Sequence, residues 1–153
     1  MIDILIQFVL ATFATFGFAI IFRVPKRNIP VCVLGGAMGW ITMHIMVSYL
    51  GSAVMGCFMG ACVVGLLSTL FSRIMKEAST IFVIPGILCL VPGSYIFRTM
   101  EALLLKNLRA AAEIGLQTLF MAGAIAIGLL VIGAVIGVIR SIVKRTVALG
   151  NKL

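Results

Sequence analysis

The chain has 153 residues, of which 63% are hydrophobic and only 10% are charged. Soluble domains carry about 25% charged residues, so this composition excludes a water-soluble fold and predicts an all-α integral membrane protein. The net charge is +8, and the basic residues cluster directly after apolar runs. This position favours anionic lipids at the cytoplasmic face as partners over nucleic acid.

The first half of the chain contains three predicted spans, since about 20 apolar residues are needed to cross a bilayer. They cover residues 4–22, 31–50 and 53–71. A basic loop at residues 23–30 separates the first two, and Gly51 and Ser52 form a tight turn before the third. The first run has no basic region before it and no A-x-A cleavage site. We therefore expect it to remain as a span rather than act as a signal peptide.

The second half contains a fourth predicted span, residues 81–97, with Pro-Gly pairs at residues 85–86 and 92–93. Proline removes a backbone donor and clashes with the preceding turn, while glycine adds backbone freedom. We therefore expect the helix to break twice. The mixed stretch at residues 98–113 is expected to continue as an amphipathic helix at the interface. The last predicted span covers residues 114–139.

The sequence leaves two arrangements of the fourth span open. If it crosses completely, the protein is a bundle of about five transmembrane helices, one of them discontinuous. The basic clusters at residues 23–27, 73–76 and 140–145 then all lie in the cytoplasm, with the N-terminus outside and the C-terminus inside. If the segment is re-entrant, there are four spans and the basic tail lies outside. The charges favour five spans in a single membrane domain, residues 1–153.

Broken backbone inside a bilayer needs protein or a water-filled cavity around it, and discontinuous helices form substrate sites in transporters. A helix that begins near Ser94 would point free N–H groups into the cavity, where a carboxylate could bind. Arg98 lies one turn later and could bind the same carboxylate, or instead pair with Glu101 or reach the lipid headgroups. The predicted substrate-binding residues are Pro85, Gly86, Pro92, Gly93, Ser94, Tyr95 and Arg98.

The single histidine, His44, lies within the second predicted span. An ionisable residue in a membrane is a candidate functional residue, here for a proton relay. Its own helix offers no carboxylate partner, so the alternative is a neutral histidine that is hydrogen-bonded between helices. The neighbouring Trp40 is interpreted as a packing or interfacial residue.

Glycine and cysteine patterns describe the packing of the spans. Three G-x-x-x-G motifs allow helix backbones to approach closely in lipid, either within one subunit or between subunits. These motifs occupy residues 35–39, 56–60 and 133–137. The four cysteines form no C-x-x-C pair, so they are interpreted as small hydrophobic residues in the spans.

Motifs of soluble and membrane enzymes are absent from the sequence. It contains no G-x-x-x-x-G-K-[ST], no H-E-x-x-H and no G-x-S-x-G. The four carboxylates are scattered outside the centres of the predicted spans. We therefore predict no enzyme activity, no cofactor and no metal site.

Residues 84–100, IPGILCLVPGSYIFRTM, resemble the signature of the threonine/serine exporter family. That signature has a Pro-Gly pair, a short apolar stretch, L-V-P-G, a tyrosine and an R-T-M-like continuation. Residues 22–25 and 35–40 resemble the family's basic turn and glycine-rich second span, and residues 117–128 fit its last span. Cys89 stands where many relatives have a second proline, so the segment is expected to be less rigid here.

The resemblance implies a place within a two-component transporter. The chain is similar to the small subunit of the split members, which corresponds to the C-terminal half of the single-chain members. Relatives export threonine and serine, and split members are associated with dicarboxylates such as succinate. The resemblance therefore implies a larger related membrane subunit as partner, a small carboxylate solute and a location in the bacterial inner membrane.

The sequence thus predicts a subunit of a secondary exporter for small carboxylate-bearing metabolites, working with a larger partner. Coupling is expected to come from the membrane potential or from protons, because no nucleotide-binding motif is present. The alternative is a structural or assembly subunit that stabilises a membrane complex without contacting substrate. A membrane-embedded enzyme is a further hypothesis, which the missing catalytic motifs disfavour.

Overall fold

The structure is a computed structural model that describes the backbone of residues 2–150 and the side chains of residues 4–139, 141 and 142. Within this part of the chain all regular secondary structure is helical, which confirms the predicted all-α fold. The six helices are α1 (Ile2–Ile21), α2 (Ile29–Leu50), α3 (Ala53–Met75), α4 (Thr80–Leu88), α5 (Gly93–Leu104) and α6 (Leu108–Gly150).

Proline and glycine set the two ends of α2. Pro30 lies in the first turn, where its missing N–H would have had no acceptor within the helix. Gly51 ends the helix with a φ of +66°, and its N–H donates to the Val47 carbonyl oxygen at 2.9 Å. This left-handed conformation is accessible to glycine without strain. Ser52 then caps α3 by accepting a hydrogen bond from Met55 N, so the predicted tight turn is present.

Helices α2 and α3 pack with their backbones almost in contact, because glycines face the neighbouring helix at the crossing. A Cβ atom on Gly60 would lie 2.9 Å from the Gly39 oxygen, and one on Gly56 would lie 3.0 Å from the Met43 oxygen. The first two G-x-x-x-G motifs therefore pack helices within the subunit. Both glycines of the third motif, residues 133–137, have open space where a Cβ would stand.

Helices α2 and α3 form the centre of the bundle. α1 and α4 pack against α2, α4 also contacts α3, α6 packs against α3, and α5 packs against α6. The buried core includes Val64 of α3, Leu90 of the segment between α4 and α5, and Met121 of α6. This arrangement places the break between α4 and α5 inside the bundle.

Four helices, α1, α2, α3 and α6, are long and apolar enough to cross a membrane by themselves. α4 and α5 meet the same criterion only as a pair, which bends by 49°. The described chain thus has four spans, or five if the bent pair is one discontinuous span, in agreement with the prediction. The expected interfacial helix over residues 98–113 is not a separate element, because α5 runs to Leu104 and α6 begins at Leu108.

The prediction of two breaks in the fourth span is wrong, because the first Pro-Gly pair lies inside α4. Pro85 cannot donate to the carbonyl oxygen of Ile81, one turn earlier. The buried Cys32 thiol on α2 lies 3.8 Å from that oxygen and 3.8 Å from the Phe82 oxygen, so its single proton can be donated to either. Gly86 lets α2 approach, since a Cβ on Gly36 would lie 3.2 Å from the Gly86 Cα. Only the second pair, at Pro92 and Gly93, coincides with a break.

Candidate functional site

The helix break between α4 and α5, residues 89–92, projects into the bundle. Leu90 is fully buried there. A Cβ on Gly60 would lie 2.6 Å from Leu90 Cδ2, and one on Gly39 would lie 3.4 Å from Leu90 Cδ1. The isobutyl group therefore occupies the space that the two missing side chains leave between α2 and α3. Leu90 anchors the break at this position.

Short-range hydrogen bonds satisfy several of the backbone N–H groups at the break. Leu90 N donates to Ile87 O at 2.8 Å, Gly93 N donates to Val91 O at 2.7 Å, and Ile96 N donates to Pro92 O at 3.1 Å.

The Ser94 N–H, in the first turn of α5, has no acceptor among the residues that the structure describes. Free N–H groups are normal at a helix N-terminus, where they favour an anion. Both Gly93 and Ser94 are exposed, and a Cβ on Gly93 would meet no atom within 4 Å. The first turn of α5 is therefore accessible and carries an unused donor.

Helix α1 is joined to the break through Thr15, which is fully buried. Its hydroxyl donates to the Ala11 oxygen at 2.8 Å and lies 3.0 Å from the Cys89 sulfur. Either group can be the donor in the contact between the Thr15 hydroxyl and the Cys89 thiol. Cys89 was expected to loosen the segment, but this contact ties it to α1. Thr15 is one polar residue in an apolar run, and no motif in the sequence marks it.

A cavity of about 290 Å³ opens beside the break, between α1, α2 and the end of α4. Its walls are mainly apolar. Its lining includes Trp40 and Gln7, and the Trp40 indole N–H donates to the Gln7 side-chain oxygen at 3.0 Å. From the sequence, Trp40 was interpreted only as a packing or interfacial residue, and Gln7 was not singled out. A polar residue at position 7 of an otherwise apolar run was the available signal.

The predicted binding residues divide into two groups. Pro85, Gly86 and Pro92 are buried and shape the backbone around the break. The exposed group consists of Gly93, Ser94 and Arg98. Tyr95 is half-buried and packs against the hydrophobic core. Only the exposed group, on α5, is available to a solute.

Arg98 lies with Glu101 and Asn107 in a second cleft, of about 280 Å³, where α5 turns into α6. The predicted alternative of an Arg98–Glu101 pair is not present as an ion pair. In the described part of the chain, the one ion pair joins Arg109 Nε to Glu113 Oε1 at 3.6 Å. Arg98 is therefore free to meet a ligand.

His44 is half-buried in α2. Its carbonyl oxygen accepts a hydrogen bond from the Ser48 hydroxyl at 3.0 Å. Its imidazole makes no hydrogen bond to the residues that the structure describes, so the predicted interhelical bond is not present. A role for His44 in proton transfer stays a prediction.

The sequence of the chain matches a known protein family. A family sequence model described as Threonine/Serine exporter, ThrE matches residues 7–135. A Haemophilus influenzae protein named "Uncharacterized protein" is 25% identical over 100 residues, which are 65% of this chain and 34% of that protein. The match thus spans about a third of that relative's length. No solved structure matches the chain. Because the family match covers most of the sequence, the chain belongs to the threonine/serine exporter family.

Proposed function

We propose that the chain is a subunit of a secondary exporter that moves small carboxylate-bearing metabolites out of a bacterial cell. Membership of an exporter family supports transport rather than catalysis. The solutes are threonine and serine, or dicarboxylates such as succinate. The observation that carries the proposal is the discontinuous fourth span, whose second half begins at an accessible turn with a free Ser94 N–H.

The first turn of α5 and Arg98 together suit a carboxylate. The helix N-terminus supplies a backbone donor and the positive end of a dipole. Arg98 follows Ser94 by one turn, so both residues lie on one side of α5. A guanidinium can bind both oxygens of a carboxylate, which adds orientation to charge. A solute held at Ser94 is thus within reach of the next polar group along the helix.

A larger, related membrane subunit is proposed to complete the pathway. The exposed Ser94 and Arg98 lie on a helix that also exposes Phe97 and Met100. Polar groups at membrane depth require protein or water rather than lipid beside them. A second subunit that covers this side of α5 would enclose a water-filled path. Transporters of related design place their sites between two such repeats.

The proposed energy source is the membrane potential or a proton gradient. The sequence contains no nucleotide-binding motif of the P-loop type. Export of a dicarboxylate from a cell with a negative interior is favoured by the potential itself, whereas threonine and serine carry no net charge and would need coupling to an ion such as the proton. Proton coupling would need a titratable group in the spans, and His44 is the proposed relay.

An efflux assay tests the proposed function. Cells are loaded with labelled threonine, serine or succinate, and efflux is compared for this chain, its proposed partner and both together. We expect efflux of at least one solute only when both chains are present. Full activity of the partner alone would show that this chain is not needed for transport and would contradict the proposal. Loss of all activity in the combined strain would contradict the proposal.

The topology is proposed to have the N-terminus outside and the C-terminus in the cytoplasm. A bend of 49° changes the direction of the chain without reversing it, which favours a complete crossing by α4 and α5. Residues 23–27, 73–76 and 140–145 would then face anionic lipids of the inner leaflet. The side chains of Arg140, Lys144 and Arg145 lie outside the described residues.

Reporter fusions after residues 2 and 150 check this topology. We expect a reporter that is active only outside the cytoplasm to work at residue 2 and fail at residue 150. A fusion within the turn between α2 and α3 serves as a further external control. Two ends on the same side of the membrane would rule out five crossings.

A further inference from the structure

The cleft at the junction of α5 and α6, defined here as the corner cleft, is held in shape by its own backbone. Lys106 adopts a left-handed φ of +57° that turns the chain. Asn107 N then donates to the Ala102 oxygen at 2.9 Å, and Asn107 Oδ1 accepts from Ala110 N at 3.2 Å. The junction is therefore fixed, and the Asn107 Nδ2 donors remain available. The cleft is lined by Arg98, Glu101, Ala102, Leu105, Asn107 and Ile114.

Two opposite charges line the corner cleft without neutralising each other. Arg98 and Glu101 are separated by one turn of α5, and both are exposed. Residues at this spacing are neighbours on a helix surface and commonly pair. The described chain has no ion pair between them, whereas Arg109 and Glu113 on α6 do pair, at 3.6 Å. The corner cleft thus presents a cation and an anion to whatever enters it.

The size and charges of the corner cleft suit a small zwitterion. Its volume of about 280 Å³ is below the usual range for drug-sized ligands, which is about 300–1,000 Å³. The Arg98 guanidinium can bind a carboxylate through two hydrogen bonds. Glu101 can accept from an ammonium group next to that carboxylate. An Asn107 Nδ2–H can donate to a side-chain hydroxyl.

A dicarboxylate in the corner cleft would meet a repulsive contact that a zwitterion does not meet. Its first carboxylate can also bind Arg98. Its second carboxylate would then lie near Glu101, where two negative charges repel each other. Discrimination between related ligands often depends on such an unfavourable contact with the wrong one.

We propose that Glu101 is a specificity-determining residue of this exporter. It favours solutes with an ammonium group beside the carboxylate over solutes with two carboxylates. This inference rests on the proposed function, because it treats the corner cleft as the next binding position along α5 after Ser94. Arg98 contributes binding affinity for both classes of solute, whereas Glu101 discriminates zwitterions from dicarboxylates.

Titration calorimetry on the purified exporter, containing this chain and its partner, tests the inference with threonine and succinate as probes. Glu101→Gln keeps the shape and removes the charge. We expect it to weaken threonine binding about tenfold, as for a charge-assisted contact in a partly solvated cleft. Succinate binding should stay the same or become tighter. Arg98→Ala should weaken both. Weaker binding of threonine without weaker binding of succinate is a result that a purely structural role would not produce.

Glu113→Gln is the matched control, because Glu113 is exposed, lies on α6 and is bound to Arg109 instead of the corner cleft. It should leave both affinities unchanged. Equal changes for threonine and succinate in Glu101→Gln, or no change, would overturn the inference. Absence of binding by the wild-type exporter would also overturn it. An efflux assay distinguishes failure of this inference from failure of the proposed function. If the wild-type exporter transports the solutes and Glu101→Gln transports them with the same specificity, only the role of Glu101 is refuted.

Discussion

Replacing Gly60 with leucine should greatly reduce the amount of folded protein in the membrane. A Cβ at this position would lie 2.9 Å from the Gly39 backbone oxygen and 2.6 Å from Leu90. The oxygen belongs to the backbone of α2, so it cannot move without separating α2 from α3. Overpacking of this kind costs about 1–3 kcal/mol even for small additions. We expect more for leucine, which must also displace Leu90 from its position between the two helices.

Gly133→Leu is the matched control for this prediction. It changes the same residue type within a G-x-x-x-G motif, but a Cβ at Gly133 meets no atom within 4 Å. The thermal denaturation midpoint and the amount of monodisperse protein in detergent measure the outcome. Gly133→Leu should match the wild-type chain in both. Equal stability of Gly60→Leu and Gly133→Leu would contradict the close contact of α2 and α3.

Much of the fold could be predicted from local sequence. Long apolar runs bounded by charges or turn residues located the four long helices, because hydrocarbon selects for length and polarity alone. The turn at Gly51 and Ser52 had an equally local cause. The continuity of α4 through Pro85 had no local cause. The Cys32 thiol, which is distant in sequence, lies 3.8 Å from the carbonyl oxygen that the proline leaves without its helical donor.

The candidate site was predicted in part. The second Pro-Gly pair does mark a break, and a new helix does begin near Ser94, at Gly93, with the Ser94 N–H free. The contacts that hold the break in place involve Thr15 and the glycines of α2 and α3. No spacing rule in one sequence joins these residues, because helix packing alone brings them together. The role of Glu101 likewise needs the turn that forms the corner cleft.

Gly93→Leu should abolish export while leaving the fold intact. A Cβ at Gly93 meets no atom within 4 Å, and the residue does not have a positive φ, so leucine fits the backbone. The substitution raises the hydrophobicity of the span, so insertion should not suffer. The leucine side chain would cover the first turn of α5 and exclude a carboxylate from the Ser94 N–H. We expect the efflux rate to fall at least about tenfold, the effect of losing one charge-assisted hydrogen bond.

Gly123→Leu is the control for transport, because Gly123 also has open space around a Cβ and lies on α6 rather than in the broken span. Efflux is compared at equal abundance of each variant in the membrane. Gly123→Leu should export at the wild-type rate. Wild-type efflux by Gly93→Leu would remove the first turn of α5 from the transport pathway.

Protection of Gly93→Cys from a water-soluble maleimide in the assembled exporter tests most directly whether the solute binds at the break. The wild-type chain gives the background, since Cys32 and Cys57 are buried and Cys62 and Cys89 are half-buried. If the solute passes the first turn of α5, this cysteine should react, and saturating threonine or succinate should slow the reaction. An unreactive cysteine, or the same labelling rate with and without both solutes, would contradict the claim that the break in the fourth span binds the exported solute.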